Sequence, residues 1–493
     1  MVSIPIVIKW AGKKYDVEVD VSQPAGVFKQ KLYELTGVPT DRQKVLIKGG
    51  MLKDDTDLST LKLKPKQMIM MMGTAGELPK EPVKKTVFEE DMTEEQLAEA
   101  YKVPSGLVNL GNTCYMNATL QCMRAIPELQ EQLNTITDSI GTDAHKNLAI
   151  SLRDLYQKLS NSSNAFTPLV FLQTLRAAFP QFAERGAHGF LQQDAEECWG
   201  QLVTSLKDYT PGRTIEGQTD SSKSFVDQFL KGEFTSEIVC DEDPEDKTTT
   251  TESFLKLPVN ISSGISTYML SEIENSLTQQ IEKFSDKLNK QAMYTKKSKI
   301  SRLPSYITIN FIRFQWKQTE QIRAKILKRV KFPLDLDMTP YCTPELQEKL
   351  KVGKAKIKEM QDKELEKKKR EKALKDNPLI AKDEDVKMED SNKVQKKQYE
   401  IYRDLNIDNS LIEDVGANVT GQYDLVAVLT HMGRNADSGH YIGWVRQETT
   451  DNWWKFDDDK VTAITSEDIP KLEGGGDWHT AYICLYKAKE LKE

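Results

Sequence analysis

Apolar residues recur at every second position at the start of the chain. Ile4, Ile6 and Ile8 alternate with other residues, and Val17, Val19 and Val21 repeat the pattern beyond Gly12. A period of two is that of a half-buried strand, so the two runs read as a β-hairpin turning near Gly12. Phe28, Leu32 and Leu35 fall at helical spacing. Val45-Leu46-Ile47 forms a short strand before the turn Lys48-Gly49-Gly50, and Met68 to Met72 forms a last strand. Residues 1–75 thus predict a self-contained domain in the order hairpin, helix, strand, strand. The methionine run reads first as a buried strand and second as a methionine-lined docking face, because thioethers adapt to varied partners.

The pattern changes at 76–100, where Pro79, Pro82 and several charges replace large apolar groups. This stretch predicts a linker ending in a short helix, with Thr93 and Gln96 spaced as a capping box. Helical spacing dominates 115–208, with Leu148, Leu152, Leu155 and Leu159 as one face. Strand patterns follow at 306–311, 424–430, 440–446 and 481–486. The stretch 345–398 is packed with Lys and Glu, which suits a solvated helix running into disorder. A chain of 493 residues exceeds one hydrophobic core, so a second, larger domain is expected at 101–488.

A net charge of −7 argues against non-specific nucleic-acid binding, and no apolar run is long enough to span a bilayer. The first ten residues lack a secretory pattern. The six cysteines (114, 122, 198, 240, 342, 484) form no Cys-x-x-Cys pair. Neither a disulfide framework nor a zinc cluster is suggested, and a reducing cytoplasmic or nuclear setting fits.

One cysteine is placed for chemistry. Cys114 follows a Gly/Asn-rich turn, Asn109-Leu110-Gly111-Asn112-Thr113, and opens a helical stretch. Amides at a helix start favour a thiolate. A buried structural thiol is the equal alternative until a base is found. Of five histidines, His145 lies in a polar stretch and His188 in a loop. His440 stands at the start of a strand after Ser438-Gly439, followed by Tyr441-Ile442-Gly443-Trp444. A second strand, Asn452 to Asp457, follows a short loop. If residues 447–450 close a hairpin, Arg446 faces Asp451 and His440 faces Asp457, with Cβ atoms about 5 Å apart. Asp458 then points to the other face, and a one-residue slip would exchange the two. Cys114, His440 and Asp457 supply a nucleophile, a base and an orienting carboxylate.

The segments Gly106 to Asn117, Gln192-Gln193-Asp194-Ala195-Glu196-Glu197, Ser438-Gly439-His440-Tyr441 and Trp454 to Asp459 resemble the cysteine box, the glutamine/aspartate motif and the histidine box of the ubiquitin-specific proteases. The first domain, with Lys48-Gly49-Gly50-Met51-Leu52-Lys53-Asp54-Asp55, resembles ubiquitin. The pairing of the two resembles the proteasome-associated branch of the family. The resemblance implies an α+β chain, a β-grasp ubiquitin-like domain followed by a papain-like cysteine protease domain of thumb, palm and fingers. It implies hydrolysis of the isopeptide bond at the ubiquitin C-terminal glycine. Cys114 would be the nucleophile, His440 the base, Asp457 the orienter and Asn109 the oxyanion donor. Gln193, Asp194, Gly439 and Tyr441 would contact ubiquitin. Leu46 falls about where ubiquitin has the central isoleucine of its binding patch, and Leu46 and Met71 would dock the proteasome regulatory particle.

The implied partners are ubiquitin, polyubiquitinated proteins and the proteasome, with no nucleic acid and no membrane. Many members hold zinc with two Cys-x-x-Cys pairs in the fingers. Here the region 225–262 has only Cys240, so no metal and no cofactor are expected. Loops at 315–323 and 433–437 are where such a protein would cover its channel until docked. The alternative reading is a non-catalytic ubiquitin-binding adaptor of the proteasome.

Overall fold

The computed structural model describes residues 3–48, 50–75, 103–187, 189–261, 268–318, 322–376, 397–435, 438–448 and 450–492. The expected linker at 76–100, with its capping box, and His188 lie outside the described residues. The chain divides into two compact units, Met1–Asp91 and Met92–Glu493.

In the first unit the alternating runs form an antiparallel hairpin, Ser3–Trp10 with Lys13–Asp20, and Gln67–Met72 runs parallel to the first strand. Lys44–Ile47 pairs on the other side of Gln67–Met72, and the helix Ala25–Thr36 packs across the sheet. This is a β-grasp fold. Ile6, Ile8, Val17, Val19, Phe28, Leu32, Val45 and Ile69 form the core, whereas Leu35 is exposed. Period two decides the methionine run. Ile69 and Met71 point inward, while Met68, Met70 and Met72 point to solvent. Met71 is only 2% exposed, so it is a core residue and not a docking contact as expected. Leu46 is 38% exposed and pairs with Met70 on the outer face.

The second unit places helices first and strands afterwards. The helix Ala144–Ser160 buries Leu148, Leu152, Leu155 and Leu159 against its neighbours. A mixed eight-stranded sheet contains Tyr306–Ile312, Thr480–Ala488, Gln422–Met432, His440–Arg446 and Asn452–Asp457 as successive neighbours. All ten residues of the helix Cys114–Met123 are buried. The helix lies against the strand His440–Arg446, and Gly443 permits that approach. A Cβ there would meet the Ala118 carbonyl at 3.2 Å and Cys122 Sγ at 3.3 Å.

A separate four-stranded sheet, ordered Lys247–Phe254, Gly232–Cys240, Lys290–Arg302 and Thr278–Ser285, forms the fingers. Near its tip, Asp246 accepts 2.6 Å hydrogen bonds from Ser285 and Tyr294 beside Cys240. Among the described residues, no group of three or more His, Cys, Asp or Glu side chains could hold a metal ion. None of the described helices is long and apolar enough to cross a membrane. The charged stretch begins as the helix Pro344–Asp376, anchored by Leu346, Leu350 and Ile357. Residues 361–370 are exposed throughout, and 377–396 lie outside the described residues.

Candidate active site

The loop before the cysteine is knotted by Asn109. Its Oδ1 accepts from the Gly111 and Thr113 amides at 2.9 and 3.2 Å, and the Thr113 hydroxyl in turn accepts from the Leu110 amide at 2.9 Å. Asn112 takes the left-handed conformation, φ +57°, and Thr113 precedes the first helical residue, Cys114. This local polar network ends the extended chain and starts the helix at the thiol, which is buried.

His440 stands beside it. Its Nε2 is hydrogen-bonded to Asp457 Oδ1 at 2.7 Å, which leaves Nδ1 for the thiol. The imidazole is raised to about 9. A hydrogen bond with Cys114 is the main cause, burial works against it, and the Asp457 hydrogen bond adds to the rise. Burial pushes the Asp457 carboxyl up, but hydrogen bonds from His440 and Lys455 outweigh it and hold it below its usual value. Lys455 Nζ lies 3.1 Å from the second Asp457 oxygen.

The hairpin carrying this pair differs in register from the expectation. Gly443 pairs with Phe456 and Arg446 with Trp453, two residues away from the predicted alignment. The Gln447 amide bonds to the Asn452 carbonyl at 2.9 Å, so the pairing continues past Arg446 and the four-residue connection is 448–451, one position later than expected. A displacement of two preserves the alternation of faces, so His440 and Asp457 remain on one side and meet diagonally.

Asp458, which the sequence pattern placed on the other face without a role, is also a site residue. It follows the strand with φ +54°, and its carbonyl accepts from the Leu107 amide at 2.8 Å. Its carboxylate accepts from Asn109 Nδ2 and from Asn117 Nδ2, both at 2.8 Å. Asp458 thus ties the loop before Cys114 to the strand bearing Asp457. It also takes one amide proton of Asn109, the expected oxyanion donor, and leaves the second N–H. The run Asp457-Asp458-Asp459 was the available signal, but a solvated turn has the same composition.

The residues expected to contact ubiquitin divide. Gln193 is half-buried and Gly439 is exposed. Gly439 has φ +128°, and a Cβ would approach the Met432 carbonyl to 2.3 Å, so only glycine fits beside His440. Asp194 and Tyr441 are buried, contrary to a surface role. Asp194 caps the helix Ala195–Tyr209 through the Glu196 amide at 2.8 Å and accepts from the Tyr482 hydroxyl at 2.9 Å. Tyr441 lies against His431 and Tyr482, with ring centroids 4.7 and 6.3 Å away.

Phe314 covers this aromatic group, 5.3 Å from both His431 and Tyr482. It begins the hairpin Phe314–Lys317/Ile322–Lys325. The Lys325 amide bonds to the Arg434 carbonyl at 2.8 Å, and its buried ammonium bonds to the His431 carbonyl. Burial, with help from Arg313, lowers the Lys325 amine to about 7. Arg434 then forms an ion pair with Asp477 at 2.6 Å. The hairpin, the loop at 433–435 and the loop at 474–479 therefore hold one another beside His440.

Comparison with known proteins gives two family matches. Ubiquitin carboxyl-terminal hydrolase matches residues 105–486, and the Ubiquitin family matches residues 6–76. The chain is 44% identical to Ubiquitin carboxyl-terminal hydrolase 6 of Schizosaccharomyces pombe, with 99% of each chain aligned. It is 41% identical to the protein of the same name from Arabidopsis thaliana, covering 98% of each. Against Ubiquitin carboxyl-terminal hydrolase 14 of Caenorhabditis elegans it is 34% identical, covering 99% of this chain and 94% of that protein. Among solved structures, the SAGA Ubp8/Sgf11/Sus1/Sgf73 DUB module bound to ubiquitin aldehyde aligns with a TM-score of 0.50. That alignment has 19% identity and covers 79% of this chain and 70% of that one, a likeness of fold.

Proposed function

The chain belongs to the ubiquitin carboxyl-terminal hydrolase family and is a cysteine-type deubiquitinase with a ubiquitin-like domain, and on that premise we propose that it removes ubiquitin from conjugates held at the proteasome. The observation that carries the chemistry is His440 between Cys114 and Asp457, raised to about 9 by the first and hydrogen-bonded at 2.7 Å to the second. A cationic imidazole at a helix start is the surrounding in which a thiolate is stable. Cys114 attacks the carbonyl of the ubiquitin C-terminal glycine, and the free N–H of Asn109 donates to the oxyanion. His440 protonates the departing lysine amine and then takes a proton from the water that cleaves the thioester.

The cover over the aromatic group supports regulation at the same site. Phe314 packs on His431 and Tyr482, whose rings carry Tyr441, so the hairpin and its neighbouring loops act as a gate that parts when ubiquitin binds beside His440. The ubiquitin-like domain and its exposed Leu46 support docking on the proteasome regulatory particle, in a cytoplasmic and nuclear setting. Reaction with ubiquitin bearing a C-terminal electrophile tests both parts. Labelling is expected in the wild type, absent in Cys114→Ala, and faster with proteasome present. Equal labelling with and without proteasome argues against the gate, and labelling of Cys114→Ala removes Cys114 as nucleophile. A non-catalytic adaptor would leave the wild type unlabelled in both conditions.

A further inference from the structure

We propose that the outer face of the ubiquitin-like domain is a site of reversible methionine oxidation that turns docking off; this rests on the docking reading above. Leu46 pairs with Met51 on one side and with Met70 on the other, which places all three on one face. Met68 and Met72 flank Met70 at two-residue spacing on the same side. Met51, Met68, Met70 and Met72 are 57%, 53%, 50% and 49% exposed. Four thioethers thus share this face with Leu46, and Val7 lies opposite Met68 at its edge. Lys9 and Lys44, opposite Met70 and Met72 in the neighbouring strands, add positive charge to the face.

Packing alone does not require these residues. The inward side of the same strand uses Ile69 and Met71, and a solvent-facing position tolerates any β-former. Beyond its flexibility, methionine differs from leucine in that its sulfur reacts with peroxides. The sulfur lone pair attacks the peroxide oxygen, an S–O bond forms and the O–O bond breaks. The sulfur loses two electrons, and the departing hydroxide or alkoxide takes up a proton to leave water or alcohol. The product is a polar sulfoxide, and four of them in an apolar contact would each have to be desolvated on docking. Methionine sulfoxide reductases return the thioether, so the change is reversible. Met71, at 2% exposure on the same strand, is the internal control.

The test uses the full chain with Cys114→Ala, so that the reactive thiol does not take up peroxide. Limited hydrogen peroxide followed by peptide mass spectrometry is expected to add oxygen to Met51, Met68, Met70 and Met72 while Met71 is spared. Association with the purified proteasome regulatory particle should then weaken about tenfold or more, and recover after treatment with the two reductases. A variant with all four methionines changed to leucine should associate equally before and after peroxide treatment, and a loss of association on treatment of that variant would overturn the switch. Leu46→Arg separates the two readings. If it leaves association unchanged, docking through this face is wrong and the switch falls with it. If Leu46→Arg abolishes association but the oxidised chain docks at full affinity, the docking reading stands and the switch is overturned. Oxidation of Met71 at the same rate as its neighbours also overturns it.

Discussion

At the residue scale, the site is governed by two adjacent aspartates that do different work. Asp457 engages His440, and Asp458 engages the loop and helix of Cys114. The His440 imidazole is raised to about 9 mainly by its hydrogen bond with Cys114, so Cys114→Ala should lower it, with the Asp457 hydrogen bond still opposing burial. NMR of the imidazole checks this, and an unmoved titration would contradict it. The sign for stability follows. The folded value lies above the unfolded 6.5, so the stabilisation is complete below that pH and is lost as pH rises through about 9. Activity should fall over the same alkaline range as the proton for the leaving amine is lost. Asp458→Ala releases Asn109 and Asn117, and turnover of a ubiquitin substrate should drop about tenfold to a hundredfold with the triad contact intact. Unchanged kcat would remove Asp458 from the site. Alternation in the strand predicted which aspartate faces His440. The role of Asp458 was not legible, because it depends on a left-handed turn and on asparagines more than 300 residues away in sequence.

At the element scale, the proposed chemistry depends on one helix lying close to one strand. The helix Cys114–Met123 brings the thiol, and the strand His440–Arg446 brings the base. Gly443→Val would press on the Ala118 carbonyl and Cys122 Sγ, and its expected cost is about 1–3 kcal/mol in denaturant unfolding. Electrophile labelling should slow in the same variant, since the helix and the strand move apart. Full labelling at unchanged stability would show that the approach is not needed. The hairpin register illustrates what pattern reading can carry. Placing the four-residue loop one position early displaced the pairing by two residues, yet the faces survived because side chains repeat every second residue. Where the turn falls between the two strands is something no period encodes.

At the scale of the whole molecule, the proposed function gives docking to the first unit and the chemistry to the second. If the ubiquitin-like domain only docks, removing residues 1–75 should leave basal labelling unchanged and abolish its acceleration by proteasome. A higher basal rate in the truncated chain would instead assign the domain an inhibitory role. The helix Pro344–Asp376 leaves residues 361–370 in solvent, in keeping with mixed charges that have no apolar face to bury. By itself, the sequence determined the two folding units, the alternation of sides along the strands, the absence of paired cysteines and the candidates Cys114, His440 and Asp457. These depend on local periodicity and on residue chemistry, which are written along the chain. Only the tertiary structure decided which side of the run Met68–Met72 faces the core, and that Asp194 and Tyr441 are buried against Tyr482. It also decided that Asp458 joins the two halves of the site. Each of these depends on contacts between distant segments, and such contacts are set by packing rather than by any repeat in the sequence.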